Sequence, residues 1–136
     1  MSIEGSQPVK LIGAVAGADL SASTVPYKFV KWSTTNTGRV VLCSATTDRP
    51  CGVIQGAAPT TALDQPVEVV ALGQTKLQSD GTMQTGTIGG TNASGQATPA
   101  LATMYPVCSG GADAAAAGAA GIFSAFIDCI SPTVHA

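Results

Sequence analysis

Charge is scarce in this chain. Only 10% of its 136 residues are Asp, Glu, Lys or Arg, against about 25% in an ordinary soluble domain. The net charge is −2 and the six cations are scattered, so the basic footprint that a nucleic-acid partner needs is missing. No run of about 18 apolar residues occurs, so no membrane-spanning helix is expected. Leu11 to Leu20 is mildly apolar, but it holds two Gly and an Asp with no basic region at its start, and it does not read as a signal peptide.

Histidine is nearly absent too. His135, one residue from the C-terminus, stands alone, and none of the four cysteines forms a C-x-x-C pair. A zinc site is therefore not expected, and a hydrolase triad would need an accessible His backed by an acid. Asp64 and Glu68 lie four apart, but the segment reads as loop and strand, so helical spacing does not set paired glycosidase carboxylates on one face. Gly86 to Gly95 lacks the Lys-Ser/Thr ending of a phosphate loop. No catalytic residue, metal or cofactor is expected. Cys43 and Cys51 flank the turn Ser44 to Pro50 and could face each other across a hairpin. The alternative reading is that all four cysteines are free, small, buried hydrophobes, as a reducing cytosol would keep them.

What is abundant is β-branched residues, glycine and turn formers. The stretch Arg39 to Thr82 organises the chain: Val40 to Leu42, Gly52 to Ile54 and Val67 to Leu72 are apolar runs too short for helices, each bounded by turn residues. Val67 to Leu72 and Thr75 to Leu77 read as two strands joined at a glycine corner, Gly73. Tyr27 to Trp32 reads as a strand with Tyr27 and Phe29 on one face and Val30 and Trp32 on the other, and Trp32 is expected to anchor the core, with an interface anchor as the alternative. Thr85 to Thr98 is either two ragged strands or one long loop. Met104 to Cys108 reads as a short strand, and Ala112 to Ala120 as two helical turns. In Gly121 to Ile130, Phe123, Ala125, Ile127 and Cys129 alternate onto a wholly apolar face. The opposite face carries Ile122, Phe126 and Ile130 between Ser124 and Asp128, too apolar for open solvent, and is expected to be a subunit contact. Residues 1–12 read as an N-terminal arm. Its Val9, Leu11 and Ile12 are expected either to add a strand to a neighbouring protein or to pair within their own domain. The expected fold is one all-β domain, residues 1–136, a small barrel or sandwich with a short Ala-rich helical segment.

Ala18-Asp19-Leu20-Ser21-Ala22, then Tyr27-Lys28-Phe29-Val30-Lys31, then Gly38-Arg39-Val40-Val41-Leu42 resembles the opening of a family of tailed-bacteriophage capsid decoration (cement) proteins. The similarity continues through Asp48-Arg49-Pro50-Cys51-Gly52-Val53, Ala58-Pro59, and Val67 to Leu72 followed by Gly73-Gln74-Thr75-Lys76. It covers about Gly17 to Thr82, and the four cysteines depart from it. The resemblance implies a structural virion protein, made in the host cytoplasm and bound as a homotrimer to the outer surface of an icosahedral shell. There it would cement major capsid protein subunits without catalysis or cofactor. The capsid contact is assigned to Val9, Leu11 and Ile12. A carbohydrate- or host-surface-binding β module is the alternative.

Overall fold

The computed structural model describes residues 10–55 and 63–130, with side chains from residue 13. Among the described residues nine strands form one continuous sheet: β1 (Lys10–Ala16), β2 (Phe29–Trp32), β3 (Arg39–Leu42), β4 (Gly52–Ile54), β5 (Pro66–Gln78), β6 (Ile88–Thr91), β7 (Ala97–Pro99), β8 (Cys108–Gly110) and β9 (Ile122–Asp128). The spatial order is β1-β3-β2-β4-β5-β9-β8-β6-β7, and β1 also pairs with β5. That extra pairing closes β1, β3, β2, β4 and β5 into a five-stranded barrel, with the remaining strands outside it. Every ladder is antiparallel except β1 with β3. The expected all-β fold holds, in its barrel form.

Neighbouring residues of a strand point to opposite faces, and the buried residues of the barrel strands divide between two apolar clusters. Val30, Val40, Ile54, Val67 and Val69 join Ala14, Ala16, Leu20 and Val25 in one apolar cluster. Phe29, Val53 and Val70 belong to a second cluster with Leu77, Met83, Val107, Phe123, Ala125 and Ile127. The first cluster fills the barrel, and the second lies between the barrel wall and the outer strands. At Gly52, β4 comes too close to β5 for a side chain. A Cβ there would stand 2.6 Å from the Val70 carbonyl oxygen and closer still to Val69 Cγ1.

β5 is the shared wall. Its first half pairs with β1 and β4, and Leu72 to Gln78 pairs with β9. The glycine corner expected at Gly73 is a bend within a single 13-residue strand. Gly73 adopts φ +119°, a conformation that L side chains resist, while Leu72 and Gly73 keep their partners Asp128 and Ile127. Continuous pairing on both sides of the bend is what makes one strand of two.

Three further expectations need correction, and one left open is settled. Trp32 is 44% exposed and anchors no core. It follows Val30 by two and points to the same side. However, β2 ends there, and the indole lies outside the barrel cluster. Ala114–Ala116 form a single 3₁₀ turn in place of two helical turns, with Ala114 buried. Met104 to Val107 carry no strand, and the strand there is Cys108–Gly110. Thr85 to Thr98 resolves into β6 and β7, joined by a turn in which the Asn92 side-chain oxygen accepts from the Ser94 and Gln96 amides. All four cysteines are buried and free.

Candidate interaction surface

β9 divides its side chains as its alternation requires. Phe123, Ala125 and Ile127 are buried, whereas Ile122, Phe126 and Ile130 are 42%, 55% and 46% exposed. Ile122 and Phe126 share one face but do not touch, since four strand steps, about 13 Å, part them with the polar Ser124 between; Ile130 lies just past the end of β9. The Asp113 carboxylate holds the face in place, accepting from the Ser124 amide at 2.9 Å and from its hydroxyl at 3.3 Å.

Register gives Phe126 different neighbours. It lies opposite Gln74 of β5 and Ser109 of β8, and Ser109 lies opposite Ile88 of β6. Gln74, Phe126, Ser109 and Ile88 therefore form one outward row across four strands. Ile88 is 54% exposed, and with two strand spacings of about 4.8 Å it stands roughly 10 Å from Phe126 across the small Ser109. This pairing was not legible from sequence spacing. The signal available was that Ile88 is the single large hydrophobe in a Gly- and Thr-rich stretch.

The ends of the β9 face open into two hollows. One, about 370 Å³, is lined by Ser23, Thr24, Pro26, Tyr27, Gln78, Ala120 and Ile122. Its Gln78 side chain is nearly buried and donates to the carbonyls of Thr24 and Pro26. The other, about 290 Å³, is lined by Trp32, Arg49, Pro50, Cys51, Cys129 and Ile130.

The positions assigned to capsid contact lie elsewhere. Leu11 and Ile12 belong to β1, opposite Val70 and Val69 of β5. Their pairing is within their own domain, the second of the two alternatives, and not a strand lent to a neighbour. Val9 and residues 1–8 lie outside the described residues. No family model, curated protein or solved structure matches the chain. Its surface has to be read on its own terms. Among the described residues, no three His, Cys, Asp or Glu side chains gather as metal ligands would, and no helix is long and apolar enough to cross a membrane. Burial pushes the Cys43, Cys51 and Cys108 thiols up to about 12, and it raises Cys129 as well. At neutral pH these groups are protonated and behave as apolar filling.

Proposed function

We propose that this protein is a structural virion component. It binds the outside of an icosahedral phage shell as a homotrimer and stabilises the shell by bridging major capsid protein subunits. The observation that carries this reading is the outward row of Phe126 and Ile88, flanked by Ile122 on β9 and by Ile130 just past its end. Large side chains held open on a rigid sheet are costly to leave in water and are the ordinary anchors of protein contacts. The resemblance of Gly17 to Thr82 to the decoration proteins supports the choice of partner. The mechanism is multivalency: each engaged subunit raises the effective concentration of the next contact, so modest contacts sum to durable attachment.

Purified protein mixed with shells lacking it should co-sediment at a fixed, high copy number, and electron microscopy should show it at repeated outer sites. Shells that gain no density and no resistance to disruption would overturn the reading.

The hollow beside Ile122 favours a second reading, a carbohydrate- or host-surface-binding module. It is lined by the side chains of Ser23, Thr24, Tyr27 and Gln78 and by no charged residue, which suits a neutral hydroxyl-rich ligand. Glycan binding that Tyr27→Ala abolishes, without loss of shell attachment, would establish that role.

A further inference from the structure

The only tryptophan of the chain sits at an open end of the barrel. β2 and β4 run antiparallel with Val30 opposite Gly52, so two residues on, Trp32 meets the segment Arg49-Pro50 that leads into β4. Cys129 and Ile130, just past β9, complete the wall of the 290 Å³ hollow, a volume of about ten waters. Pro50, Cys51 and Cys129 are buried around it, and the thiols remain neutral, so the floor is apolar. Arg49 is the single charged residue among the lining.

Arg49 is exposed and makes no ion pair among the described residues. The adjacent Asp48 does not neutralise it. That carboxylate is taken by Lys31 at 2.8 Å and by the Ser44 and Ala45 amides. Asp128 is absent from the lining, and its Oδ1 accepts from the Ile130 amide. A half-exposed indole, an unneutralised guanidinium and buried Pro50, Cys51 and Cys129 beneath them form the combination that recurs in interface anchors and ligand sites.

We infer that the Trp32–Arg49 hollow is a docking site for a segment of a partner protein that presents a carboxylate beside an apolar side chain. The apolar group enters between Trp32 and Ile130, and the carboxylate meets the Arg49 fork. Charge complementarity selects this occupant, since a basic segment would meet Arg49 unscreened and a purely apolar one would leave it without a counter-charge. The inference does not depend on the capsid reading; under that reading the segment belongs to the shell.

Trp32 makes the site report on itself. The full chain is titrated with a blocked tetrapeptide in which leucine is followed by glutamate, and with its glutamine counterpart, while tryptophan emission is recorded at low salt. A saturable change with a midpoint in the millimolar range, about 1 mM, is expected for the glutamate peptide. The glutamine peptide should bind about fivefold more weakly, and Arg49→Gln should erase that difference while far-UV circular dichroism stays unchanged. No saturable change up to about 10 mM, equal binding of the two peptides, or a preference that survives Arg49→Gln would each overturn the inference.

Discussion

Phe126→Asp separates the outer face of β9 from the core beneath it. The Phe126 ring is 55% exposed, so of the roughly 200 Å² that a phenylalanine can bury, about 110 Å² is left for a partner. At about 25 cal/mol per Å² this amounts to about 2.7 kcal/mol per contact, or about a hundredfold in association constant. The domain itself should hardly respond. Phe126 faces the polar Gln74 and Ser109 across the sheet, and exposed substitutions of this kind move stability by about 0.5 kcal/mol. The internal control is Phe123→Ala, three residues away on the buried face, where only 1% is exposed and a loss of about 3–5 kcal/mol is expected. Denaturant unfolding measures stability, and sedimentation velocity with shell co-sedimentation measures association. If Phe126→Asp leaves both sedimentation and shell attachment unchanged, the β9 face is not an interface. If it unfolds the protein as Phe123→Ala does, the outward assignment is wrong.

Gly52→Ala should cost about 1–3 kcal/mol in denaturant unfolding, because the new Cβ would collide with the Val70 carbonyl and the Val69 side chain. Asp48→Asn should cost about 1 kcal/mol at neutral pH, a solvent-screened figure, by removing the Lys31 ion pair and weakening the two amide contacts. Burial pushes the Asp48 carboxyl up, but Lys31 and the Ser44 and Ala45 amides outweigh it and leave the group below the ordinary carboxylate range. A carboxyl depressed in the folded state gives stability above its unfolded value of about 3.9, and that stability is lost as pH falls through the folded value. The wild-type stability advantage over Asp48→Asn should therefore shrink below about pH 4 in acid titrations of unfolding. Thiol titration with iodoacetamide at pH 7 should label the four cysteines slowly in native protein and fully in denaturant, since burial keeps the thiols protonated; rapid native labelling would contradict the packing.

The sequence makes β9 readable because its pattern is local. Phe123, Ala125 and Ile127 alternate with polar or larger exposed residues, and period two assigns a face without reference to the rest of the chain. The short runs at Val40 to Leu42 and Gly52 to Ile54 are equally legible, since their turn boundaries leave no room for a helix. Trp32 fails the same test for a physical reason. Alternation places it on the side of Val30, and that placement is right, but burial depends on what lies at the end of the barrel. Ala14, Ala16 and the valines that fill the interior come from four separate strands, so which residues the cluster encloses is a property of assembly. The alanine segment fails differently: high helix propensity over Ala114 to Ala117 is overridden because the chain must turn back into β9, and the Ala117 amide closes onto the Ala114 carbonyl after a single 3₁₀ turn.

The candidate surface follows the same division between face and neighbourhood. Ile122, Phe126 and Ile130 are identifiable from the sequence as outward residues, yet nothing in their spacing shows that Phe126 has Ile88 for company. That relation passes through Ser109, with 17 residues of chain separating Phe126 from Ser109 and 21 separating Ser109 from Ile88. Register alone creates it, and register here is held by the inner row beneath: Gly89, Cys108, Ile127 and Gly73 lie opposite one another across the same four strands. A Cβ at Gly89 would approach Cys108 Sγ to 3.0 Å and the Thr98 carbonyl oxygen to 2.8 Å, so the inner row tolerates little change in residue size. A slip of one residue would turn Ile127 outward and Phe126 inward. The buried row thus fixes which exposed residues stand side by side, and packing chosen for the core determines the shape of the surface offered to a partner.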